Sequence, residues 1–167
     1  MKHGLTLALA AAVIALSTPS LLAQNGATAG FDKLKSLAGE WHGKAPDGKN
    51  VTVSYQVVSG GSSLLETITP EKEPNMVTLY HPDGEALMLT HYCALANQPR
   101  MRAAVPKGEI KKLEFAYVDA SNLASPEATH MHNLAITFKD ANHITQVWTL
   151  HNAGKETPMT FELERKM

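Results

Sequence analysis

Two short segments, Thr90-His91-Tyr92-Cys93 and Thr129-His130-Met131-His132, each place metal- or proton-capable side chains at positions i and i+2. In a β-strand, residues two apart point to the same face. His91 should then face the same way as Cys93, and His130 the same way as His132. If both strands line one cavity, four such groups converge there. His91, His130 and His132 as neutral imidazoles would hold a zinc or iron ion and leave a coordination position open. A Cys93 thiolate would favour a softer metal. The same side chains would serve equally as a polar collar that orients an organic ligand. They would also be satisfied, with no chemistry at all, by backbone carbonyls or a Tyr hydroxyl. The residue types alone leave all three open.

Alternation extends the candidate set. Leu87, Leu89, His91 and Cys93 share one face, as do His130, His132, Leu134, Ile136 and Phe138. Both faces are apolar except at the His end, so the histidines are expected inside a barrel near one mouth. Ile144, Gln146, Trp148 and Leu150 form a third inward set, and Tyr55 and Tyr117 fall on inward faces with Val53 and Phe115. The polar loop Asn97-Gln98-Pro99-Arg100-Met101 follows the His91 strand directly. Gln98 and Arg100 would suit a lid over the cavity.

These positions need strands to hold them, and the chain supplies the pattern. Residues 51–57 alternate strictly after the turn signal Pro46-Asp47-Gly48. Strands follow at 64–69, 76–81, 85–94, 101–105, 113–118, 130–138, 144–150 and 159–165, with His81-Pro82-Asp83-Gly84 making a hairpin turn. Residues 31–37 carry apolar side chains at helical spacing and predict one or two helical turns ending at Gly39. The expected fold is all-β: an antiparallel up-and-down barrel of 8–10 strands behind a short helix, with an open sandwich as the alternative.

The ends and composition bound the setting. Lys2 and His3, the apolar run 5–16 and Leu21-Leu22-Ala23 read as an export signal cut after Ala23. The run is too short to span a bilayer. Residues 24–30 read as a disordered leader and 31–167 as a single barrel domain. Export to a bacterial periplasm or beyond is the expectation. The lone cysteine, Cys93, excludes an intramolecular disulfide and reads first as a small buried apolar group. A formal net charge of −1 without charged blocks excludes a nucleic-acid footprint. No stable membrane span is expected after processing.

Gly39-Glu40-Trp41, directly after the short helix, resembles the Gly-x-Trp element of lipocalin and calycin barrels. That resemblance implies that Trp41 plugs the closed end and that Arg165, in Phe161-Glu162-Leu163-Glu164-Arg165, packs over it. The stretches 54–62, 76–81, 89–93 and 97–101 resemble a family of small exported bacterial proteins described as DUF1579-like or lipocalin-like, with kinship to nitrobindin barrels. Nitrobindin-type barrels hold haem iron through a His near the C-terminal end. Here no His follows His151, so the resemblance does not reach the haem ligand.

No nucleophile elbow and no Gly-rich phosphate loop occurs. Carboxylates such as Glu66 and Glu85 read as scattered, without an acid–base pair. The residues therefore favour a non-enzymatic carrier, monomer or homodimer, for a small apolar or amphipathic molecule. A metal- or haem-dependent enzyme or sensor, and a partner-binding envelope barrel, are the competing readings.

Overall fold

The computed structural model describes residues 26–167; the signal-like segment and cut site lie outside the described residues. The chain forms α1 (Gly26–Lys35), β1 (Gly39–Lys44), β2 (Asn50–Val58), β3 (Ser63–Pro70), β4 (Met76–Asp83), β5 (Ala86–Tyr92), β6 (Gln98–Ala104), β7 (Lys112–Ser121), β8 (His130–Phe138), β9 (His143–Asn152) and β10 (Lys155–Arg165). Every consecutive strand pair is antiparallel, and β1 pairs with both β2 and β10, which closes the sheet into a ten-stranded barrel. Closure removes the exposed strand edges that an open sandwich would leave.

Alternation drives the burial. On β2, Val51, Val53 and Tyr55 are buried, and on β3 Leu64, Glu66 and Ile68. On β7 it is Leu113 and Phe115, and on β9 Ile144, Gln146 and Trp148. Tyr80 meets Phe115 edge-on at 5.7 Å in the middle of this interior. Two of the inward residues are polar, and they matter below.

α1 begins at Gly26, so residues 26–30 are helical and not a disordered leader. Close packing requires the smallest residue at Gly30. A Cβ at Gly30 would lie 2.7 Å from Val105 Cγ2 and 3.0 Å from Leu87 Cδ1. Ala27, Gly30, Phe31 and Leu34 are the buried face. Among the described residues, no helix is long and apolar enough to cross a membrane.

One end of the barrel is sealed. Trp41 is fully buried, and its indole N–H donates to the Leu37 carbonyl at 2.8 Å. The Arg165 guanidinium lies over the Trp41 ring, 4.3 Å from its centroid. Its Nη1 donates to Ala38 O and its Nη2 to Ser36 O, both at 2.8 Å, and its Nε to Ala141 O at 3.1 Å. One side chain thus joins the last strand, the helix exit and the β8–β9 turn. Gly39 makes room for it: its φ is +128°, and a Cβ there would lie 3.1 Å from Arg165 Nη1.

Replacing Arg165 by Ala should cost about 2 kcal/mol in urea unfolding, since hydrogen bonds from a charged donor and a cation–π contact are both lost. Arg165→Lys should recover only a minor part, because an ammonium cannot reach three carbonyls from one plane. Equal stability of wild type and Arg165→Ala would show that the seal does not depend on this residue.

Candidate functional site

The centre of the barrel holds a carboxylate. Glu66 on β3 is fully buried and faced by donors from several strands. Tyr55 Oη donates to its Oε1 at 2.7 Å and Tyr80 Oη to its Oε2 at 2.8 Å. Gln146 Nε2 also donates to Oε1, and to Tyr55 Oη at 2.5 Å. The Thr78 hydroxyl completes the set. Burial raises the Glu66 carboxyl above its ordinary range, and the four donors pull it partly back. Burial beside this carboxylate holds both tyrosines protonated, well above the usual phenol range. Trp148 Nε1–H donates to Gln146 Oε1 at 3.2 Å, which orients the amide.

His91 sits at the edge of this network. It is 1% exposed, and its Nδ1 lies 2.9 Å from Thr78 Oγ1. With Glu66 ionised its oxygens only accept, so Thr78 gives its proton to Glu66. The Thr78 oxygen then accepts from His91 Nδ1–H, and Nε2 is left with a bare lone pair. Nε2 has no hydrogen-bond partner among the described residues. The ring packs on Trp148, with centroids 4.6 Å apart. Burial lowers the His91 pKa to about 4, so it is neutral near pH 7.

Beside His91 is a cavity of about 20 Å³, walled by Ile68, Met131 and Trp148 and closed outward by Met76, Met159 and Phe161. The same three closing residues floor a groove of about 250 Å³ at the mouth, whose rim carries Asp47, Lys49 and Glu73. Surface grooves of about 410 and 390 Å³ lie toward the sealed end, lined by residues such as Glu109, Lys111 and Lys33. Neither is lined by a residue of the Glu66 network or by a histidine.

His130 and His132 do not join His91. A bulge between Met131 and Asn133 leaves His132 without a partner on β9 and shifts the alternation by one residue. Met131, not its neighbours, faces the His91 cavity. His130 and His132 turn the other way and meet each other, with Nε2 and Nδ1 3.0 Å apart. Tyr117 stacks on His132 at 4.6 Å, and His151 lies 5.0 Å from His130. Among the described residues, no group of three or more His, Cys, Asp or Glu is already arranged to hold a metal ion. The expected convergence of His91, Cys93, His130 and His132 is therefore corrected.

The lid residues also act elsewhere. Gln98 Oε1 accepts from Ser121 Oγ and Asn122 Nδ2, both at 2.8 Å. Arg100 makes a two-pronged, exposed pair with Asp119, Nε to Oδ1 being 2.6 Å. Both tie β6 to β7 and neither covers the cavity. Cys93 is buried at the β5 exit, and burial pushes its thiol pKa up, which disfavours the thiolate. Glu66 reads as an unpaired carboxylate in the chain, yet it is the hub. Its place between Leu64 and Ile68 on an inward face is the signal for it.

No family model and no curated protein matches the chain. The crystal structure of Rv2717c from M. tuberculosis is similar over 82% of this chain and 97% of that one, with a TM-score of 0.59 and 13% identity. At that identity the likeness shows the fold alone, the closed antiparallel barrel.

His91 carries a pH prediction. Its folded pKa lies below the unfolded value, so its contribution is complete above about pH 6.5 and is lost as pH falls toward 4. The loss approaches about 3 kcal/mol across that window. Glu66 acts with the opposite sign, since a raised carboxyl pKa favours folding as pH falls. The His91 term is isolated by comparing urea unfolding of wild type and His91→Phe at pH 7 and pH 4.5. The wild type should lose more stability than the variant on acidification; parallel losses would show that His91 is not held neutral.

Proposed function

We propose that the barrel binds a small apolar molecule carrying one hydrogen-bond donor, taken up through the mouth groove and anchored on His91 Nε2. The observation that carries this reading is a buried, bare acceptor beside an apolar cavity. Small-molecule sites commonly combine apolar walls with a few polar groups that fix orientation. A single water fits the volume, but the apolar walls offer it one hydrogen bond where two or more are usual. Met76, Met159 and Phe161 separate the cavity from the groove. Two of the three are flexible thioethers, which repack at low cost. Their displacement would merge the spaces into a site for a ligand of a few to about ten heavy atoms.

The ligand class follows from the acceptor. The Thr78 relay presents a lone pair, so the fitting group is an O–H or N–H and not a carbonyl or carboxylate. Tyr55 and Gln146 belong to the relay and not to the ligand surface. Trp148 borders the cavity and reports on its occupation. Export, and kinship with the DUF1579-like family, belong to the same proposal and rest on residues 1–23 and the quoted stretches alone.

Titration of indole emission with phenol and with benzene tests this. Phenol should bind about three- to tenfold more tightly, the worth of one net hydrogen bond. His91→Phe should abolish that preference. Equal affinity for both probes in the wild type, or no saturable change with either, would contradict the reading.

A further inference from the structure

The bulge in β8 assembles a second set of imidazoles outside the His91 cavity. The ring centroids of His130, His132 and His151 are 5.0, 5.2 and 5.3 Å apart. Three imidazoles on one tetrahedral zinc, with Zn–N near 2 Å, have centroids about 5 Å apart and donor nitrogens about 3.3 Å apart. His130 Nε2 and His132 Nδ1 already face each other at 3.0 Å.

Each ring also has one nitrogen turned to an oxygen. His130 Nδ1 donates to Ala128 O at 2.7 Å, which leaves Nε2 as the lone-pair nitrogen. His151 Nε2 lies 3.3 Å from Glu127 Oε2, so in the neutral ring Nδ1 carries the lone pair. His132 Nε2 lies 3.9 Å from Glu156 Oε1. Metal-ligating histidines characteristically hold their far N–H against a carboxylate or carbonyl in this way. Tyr117 buttresses His132 by stacking at 17°.

We infer that His130 Nε2, His132 Nδ1 and His151 Nδ1 bind one divalent transition-metal ion of the zinc type, with Glu127 and Glu156 as outer partners. In the unliganded geometry a proton shared between His130 and His132 occupies the place of the ion. Binding moves the His132 proton from Nδ1 to Nε2, next to Glu156, with no net proton release. The three rings are not in ligating geometry without the ion, so His151 completes the set by rotating against Glu127. Imidazole nitrogens select zinc, copper or nickel over calcium or magnesium. Three ligands leave a fourth position open for water or another ligand. The site is independent of the cavity proposed above.

Calorimetric titration of chelator-stripped protein with Zn²⁺, together with visible absorption on Co²⁺ addition, tests this. One equivalent should bind, with the intense visible bands of four-coordinate cobalt. His132→Ala and His151→Ala should each weaken zinc binding at least tenfold, and His91→Phe should leave it unchanged. Glu156→Gln, at an exposed position that the fold does not use, should weaken it about tenfold. Absence of saturable binding would overturn the assignment. So would undiminished binding by folded His151→Ala, or loss of binding in His91→Phe.

Discussion

A carboxylate without a cation, held at the centre of a closed barrel, is the constraint on which the interior depends. Glu66 projects from β3 and collects donors from β2, β4 and β9. β9 is separated from β3 by three strands in one direction around the wall. The Gln146 contact therefore crosses the lumen and ties facing walls together. Moving an ion into such an interior costs several kcal/mol, and it is tolerable only when the surrounding donors are complete. Each of the four donors comes from a residue whose position in its strand is set by alternation. A slip of one residue in any of these strands would leave the charge exposed to apolar neighbours. Glu66 thus specifies register as well as occupying space.

The same network decides what the cavity can recognise. Thr78 is committed to Glu66 as a donor, so it is open only as an acceptor toward His91. That single commitment turns the imidazole into a fixed acceptor at the cavity edge. The two ends of the barrel divide the labour. At the sealed end, Trp41, Gly39 and Arg165 lock helix, first strand and last strand together. At the open end, Met76 and Met159 fill the mouth with side chains that rearrange readily.

Much of this architecture is legible in the chain. The hairpin at 81–84, the strict alternation of 51–57 and the Gly39–Trp41 element describe the strands and the plug, because period-2 burial leaves a direct trace. The inward placement of His91, Gln146 and Trp148 follows from the same parity. The bulge does not leave such a trace. Nothing in Thr129-His130-Met131-His132 signals the extra residue, and one insertion in the ladder sends Met131 inward and both histidines away. The helix start is hidden for another reason: the small residues 26–30 look like a leader, while Gly30 among them is what close packing on Leu87 and Val105 requires. Glu66 is visible only once an isolated carboxylate on an apolar face is taken as a partner for distant tyrosines.

The protonation state of His91 tests the central relay most directly. Long-range ¹H–¹⁵N correlation spectra of the imidazoles at pH 7 resolve which nitrogen bears the proton. The Glu66–Thr78–His91 chain requires a neutral ring with the proton on Nδ1 and a bare Nε2. A neutral ring with its proton on Nε2 would reverse the Thr78–His91 hydrogen bond, and an imidazolium at that pH would remove the bare acceptor; either result would contradict the account.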